Sequence, residues 1–122
     1  MKKLLFLLPL VMLNAGEDFI SHYEYGEMLY NNPRGVSCAQ CHGEDGSGTM
    51  IVSLKDANGV NEIVGADIRQ KTFEEIVQSL NGYHEIMPRY YLTDEEVKAI
   101  YDFLKKKNKR FLIAQKDTNT SR

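Results

Sequence analysis

Cys38-Ala39-Gln40-Cys41-His42 is the segment from which this chain is best read. Two thiols three residues apart in one tight turn point the same way. An imidazole follows directly. That C-x-x-C-H spacing lets both sulfurs add to the two vinyl groups along one edge of a haem. The histidine is then held beneath the porphyrin, where a ring nitrogen can bind the iron. Three other uses of a Cys pair compete. A structural zinc site wants four ligands, and Cys38 and Cys41 are the only cysteines. A redox dithiol wants a preceding strand in a βαβ setting, which the pattern lacks. A Cys38–Cys41 disulfide would close a very small loop and stabilise little.

A haem held by Cys38, Cys41 and His42 needs a group on its other iron face. Met1 and Met12 lie in the N-terminal apolar run, and Met28 falls on a helix, where gap-filling in a core is expected. Met87 stands far along the chain from His42, in a loop, so the backbone can cross to the far side. Pro88 biases residue 87 toward an extended backbone, which aims its side chain out of the loop. Met87 is therefore the expected sixth ligand. Met50, His84 and an open or weakly held sixth position are the alternatives. His22 is expected to be an exposed helix residue.

Outward from the motif, Asn32-Pro33-Arg34-Gly35 breaks a helix expected from Asp18 to about Asn31. Phe19, Tyr23, Gly26 and Tyr30 share one face of it. Glycine inside a helix costs roughly 1 kcal/mol against alanine, which points to close approach by another helix at Gly26. After His42 comes a glycine-rich loop, Gly43-Glu44-Asp45-Gly46-Ser47-Gly48. Met50–Leu54 and Val60–Val64, around an Asn58-Gly59 turn signal, suggest a short hairpin. Thr72-x-x-Glu75 and Thr93-x-x-Glu96 are capping boxes. The first opens a helix with Phe73, Ile76, Val77 and Leu80 on one stripe. The second opens a helix to about Lys107, with Val97, Ile100, Tyr101 and Leu104 buried. Phe73, Ile76, Leu80 and Tyr101 are candidate pocket residues, and ordinary core packing is equally consistent. Arg89 with Tyr90 or Tyr91 are candidate propionate partners.

The ends carry other information. Residues 1–15 read as a signal peptide: Lys2 and Lys3, an apolar run from Leu4 to Leu13, then Asn14-Ala15-Gly16. That run is about half the ~20 residues a membrane-spanning helix needs. No stable membrane insertion is expected after cleavage, and the expected location is the periplasm. Residues 16–110 then form one domain, followed by a polar tail over 111–122 that is expected to be disordered from Gln115 to Arg122. The chain has 15 Lys and Arg against 17 Asp and Glu, a formal net charge of −2. Loss of Lys2 and Lys3 makes the domain more acidic, which argues against nucleic-acid binding. Lys105, Lys106, Lys107, Lys109 and Arg110 form a basic cluster, read as a solvated helix end or a steering patch for an acidic partner.

These pieces together resemble a class I c-type cytochrome. Gly26-Glu27-Met28-Leu29-Tyr30 is similar to the family's G-x-x-L-[YF] before the haem motif. Cys38 to Gly43, Asp45-Gly46-Ser47-Gly48, Met87-Pro88 and Leu92-Thr93-Asp94-Glu95-Glu96-Val97 follow in the family's order. The resemblance runs from about Gly26 to Leu104. It implies a mainly α cytochrome c fold, three to four helices around one haem c, with first and last helices crossing near Gly26 and Tyr101. It implies thioether bonds at Cys38 and Cys41 and axial ligation by His42 and Met87. It implies a monomeric carrier of single electrons between redox proteins that dock transiently, rather than an enzyme. A haem subunit of a larger oxidoreductase, a small peroxidase and a gas-binding module with a labile sixth ligand are the other readings. Two departures stand out. Many members place a proline soon after the glycine loop, and its carbonyl accepts a hydrogen bond from the proximal histidine. Here Thr49-Met50-Ile51 occupies that place, so the acceptor cannot be assigned from sequence. The Met50–Val64 insert also has no match in the simplest members.

Overall fold

The computed structural model describes residues 19–120. The expected signal peptide lies outside the described residues. Five helices and one antiparallel hairpin follow in order: α1 (His22–Asn31), α2 (Cys38–His42), β1 (Met50–Asp56), β2 (Gly59–Val64), α3 (Phe73–Asn81), α4 (Asp94–Lys107) and α5 (Lys109–Thr120). The fold is mainly helical and consistent with a cytochrome c fold.

Local sequence sets most helix starts. Ser21, Thr72 and Thr93 each accept a hydrogen bond from the backbone N–H three residues on. Glu24, Glu75 and Glu96 return the bond to the cap. Each box satisfies two of the amides that a helix start leaves unpaired. The Ser21 box moves the start of α1 from the expected Asp18 to His22, and leaves Phe19 fully exposed outside the helix. Met28, expected in the core, is half exposed.

The core is the crossing of α1 and α4. Leu29 and Tyr30 pack on Ala99, Ile100, Phe103 and Leu104. Gly26 makes the crossing possible. A Cβ there would stand 2.7 Å from the carbonyl carbon of Ala99 and 2.9 Å from Cβ of Phe103. The crossing thus falls near Gly26 and Tyr101, as the resemblance implies, and the residues that touch Gly26 are Ala99 and Phe103 on either side of Tyr101. Tyr101 lies on the next face and meets Phe73 edge-on at 6.0 Å. Helical geometry explains why Tyr101 itself does not touch Gly26. Ala99 and Phe103 are four residues apart and share a face, whereas Tyr101 points roughly the opposite way from Ala99.

A second cluster, Ile76, Leu80, Tyr90 and Val97, seats α3 on the start of α4. Arg34 and Glu96 tie this end together with two parallel bonds, 2.8 and 2.7 Å. Arg34 also donates to the carbonyl of Tyr91 at 3.2 Å. The Arg34 guanidinium and the Thr93 amide hold the Glu96 carboxyl down to about 2.

The expected disordered tail is helical to Thr120. Phe111 explains its first turn, since the Arg69 guanidinium stacks over that ring at 3.5 Å. The basic cluster is also more than a solvated end. Lys106 lies over the Tyr23 ring at 4.8 Å and Lys107 over Phe103 at 5.4 Å. Their ammonium groups sit over aromatic rings, and both side chains remain exposed.

Candidate functional site

The site begins with α2, a single turn that carries Cys38, Cys41 and His42. Two buried tyrosines hold its ends. Tyr90 donates its hydroxyl to the carbonyl of Val36 at 2.6 Å, and Tyr30 donates to that of Gly43 at 2.7 Å. Burial pushes the Tyr90 hydroxyl up to about 12 and raises that of Tyr30 as well. Both stay protonated and remain donors. The expected propionate role of Tyr90 therefore gives way to a structural one. Its exposed neighbours Arg89 and Tyr91 do not line the cleft described below.

Cys38, Cys41 and His42 line an apolar cleft of about 320 Å³. Ile76 and Leu80 of α3, Ile100 and Leu104 of α4, and Ile51 and Ile63 of the hairpin complete much of its wall. Met87 and His84 line the same cleft from the loop between α3 and α4. Of the four candidate pocket residues, Phe73 and Tyr101 follow the core-packing reading and pair with each other outside the cleft. Met50 is 56% exposed and does not line the cleft. His22 also lies elsewhere and pairs with Asp102 at 2.9 Å. Burial pushes the Cys38 thiol up to about 11, so the unmodified side chain behaves as part of the apolar wall. Cys38 and Cys41 form no disulfide. Among the described residues, no group of three or more His, Cys, Asp or Glu side chains is arranged to hold a metal ion by itself. A structural zinc site would require one.

The orientation of His42 comes from a residue that the sequence did not point to. Its Nδ1 lies 2.7 Å from the carbonyl oxygen of Ala66. A carbonyl only accepts, so Nδ1 carries the proton and Nε2 keeps its lone pair. Histidines that bind metal usually donate their other N–H in this way, which fixes the ring and raises its basicity.

The acceptor sits 24 residues from His42 because the hairpin is looped out between them. Gly48 N–H donates to the His42 carbonyl at 2.7 Å, and Thr49 N–H to that of Cys41 at 3.1 Å. Gly65 N–H then donates to Thr49 at 2.8 Å, so the chain leaves and returns at one place. Gly65 lies directly on α2. A Cβ there would fall inside the Cys41 carbonyl group, 3.2 Å from the Cys41 Cα. The only clue in the sequence was Gly65-Ala66, just after the second apolar run. Its meaning depends on the hairpin closing first.

The residues present fit a haem: two thiols on one turn, one imidazole in the correct tautomer, and a slot walled by branched aliphatic side chains. A mainly helical fold with this site defines a c-type cytochrome domain. The family described as cytochrome c oxidase, cbb3-type, subunit III matches residues 22–104, and the chain belongs to it. No curated protein and no solved structure matches the chain significantly. The protein is a c-type haem electron-transfer protein, an electron carrier or an oxidase subunit, with haem c bound covalently through Cys38 and Cys41.

Proposed function

We propose that this chain is an exported monohaem cytochrome whose iron is held between His42 and Met87 and which passes single electrons between redox proteins. One observation carries the reading. His42, already in the iron-binding tautomer, and Met87 line the same cleft as the two cysteines. The bound haem supplies a one-electron iron couple. The chain supplies the rest. His42 and Met87 would hold the iron from its two sides and leave no substrate site on the metal. Met87 contributes a thioether, which favours the reduced state and raises the potential. Ile76, Leu80, Ile100 and Leu104 keep water from the cleft and disfavour the extra positive charge of the oxidised state.

Visible spectra of the oxidised and reduced holoprotein test the ligand assignment, with Met87→Ala as the control. The variant should lose the methionine–iron charge-transfer band. An unchanged spectrum removes Met87 from the site.

Residues 1–15 support export to the periplasm, and transient docking of donors and acceptors follows from a carrier role. The family match favours a second reading, a haem subunit of a terminal oxidase. Co-purification separates the two: a free carrier elutes alone as a monomer, and a subunit elutes with a larger membrane complex. Among the described residues no helix is long and apolar enough to cross a membrane. A gas-binding module would bind carbon monoxide readily when reduced, and a carrier with a firm Met87 would not.

A further inference from the structure

Three residues before Met87, on the same loop, stands a second imidazole that lines the cleft. His84 Nε2 lies 2.7 Å from the carbonyl oxygen of Ser79. By the argument used for His42, Nε2 carries the proton and Nδ1 keeps the lone pair. The two cleft histidines are thus held alike, each giving one ring N–H to a main-chain carbonyl, so that in the neutral ring the other nitrogen holds the lone pair. The nitrogens are exchanged between them: His42 is tethered through Nδ1 and His84 through Nε2.

The loop that carries His84 is thinly anchored. Tyr83 is 92% exposed and Ile86 55% exposed, and Met87 alone of residues 83–89 packs on the Ile76–Leu80–Tyr90–Val97 cluster. Little buried surface opposes a shift of a few residues there.

We propose that His84 is an alternative axial ligand, which replaces Met87 when the thioether is lost or withdrawn. The inference rests on the Met87 assignment above. With haem bound, His84 Nδ1 would hold the iron in place of the Met87 sulfur. From the neutral imidazole Nε2 keeps its proton and no proton or electron is gained or lost; from the imidazolium the Nδ1 proton would pass to water. Because the thioether raises the potential, the exchange gives the protein a second form of lower potential.

The test uses holoprotein matured in a host that attaches haem c, as wild type, Met87→Ala, and Met87→Ala/His84→Ala. Ferric electron paramagnetic resonance and carbon monoxide binding to the reduced form are measured on each. The expected Met87→Ala protein lacks the charge-transfer band, remains low-spin with a two-imidazole signature, and resists carbon monoxide. The double variant is then high-spin and binds the gas readily. A Met87→Ala protein as high-spin and as reactive as the double variant overturns the proposal and leaves the Met87 assignment intact. A low-spin double variant overturns it too, because another group then binds. A charge-transfer band that survives Met87→Ala overturns the ligand assignment itself. If Met87→Ala yields no holoprotein, Met87→Leu, which conserves volume, is read in its place by the same criteria.

Discussion

The residues that tune this site act mainly through backbone groups. His42 is oriented by the carbonyl of Ala66, and Ala66 is brought there by the lack of a side chain at Gly65. Gly65→Ala should therefore push the Ala66 carbonyl away from His42 and disturb α2. Overpacking of this kind costs about 1–3 kcal/mol. The expected outcome is a lower thermal midpoint and less covalent haem per protein, read by haem absorbance against total protein.

At the scale of elements, the hairpin is an attachment rather than a pillar. Every residue of β1 is exposed, and in β2 only Ile63 is partly buried. An isolated two-stranded hairpin is marginally stable in water. This one is pinned at its root by Thr49, Gly65 and the α2 carbonyls, and its apolar pair Val52–Ile63 faces across the ladder. Replacing residues 50–64 with Gly-Gly would make the Thr49–Gly65 bond the closing bond of an ordinary β-turn. The shortened protein should still fold and bind haem covalently. Its midpoint potential should fall, because Ile51 and Ile63 no longer cover the cleft. Loss of haem attachment would show that the hairpin has a structural role beyond its root. The capping boxes belong to this scale as well. They could be read from four residues each, and the one missed, Ser21-x-x-Glu24, displaced the start of α1 by one turn.

For the whole molecule, the Arg34–Glu96 pair matters most because it joins the approach to the haem motif with the start of α4 and, through Tyr91, the end of the Met87 loop. Its pH dependence has a definite sign. The Glu96 carboxyl has an ordinary value of 4.5 and is held at about 2 in the fold. Its contribution is complete above about pH 4.5 and is lost as the pH falls toward 2. Glu96→Gln should thus be less stable than wild type at neutral pH. The gap should narrow progressively below pH 4.5, as read from urea unfolding at a series of pH values. A gap that stays constant down to pH 2 would mean that the carboxylate charge has no part in it.

The amino-acid sequence by itself determined the covalent haem attachment at Cys38 and Cys41, two of the capping boxes and the hairpin. Each depends on residues a few positions apart, so local spacing carries the information. It also singled out Gly26 as a place of close approach, but not what approaches, since Ala99 and Phe103 are distant in the chain. The tertiary structure alone decided that Tyr90 serves the backbone, that Phe73 and Tyr101 leave the cleft, and that Ala66 holds His42. Those outcomes depend on which carbonyls and rings meet after the insert is looped out and α1 crosses α4. No spacing along the chain encodes a meeting of that kind.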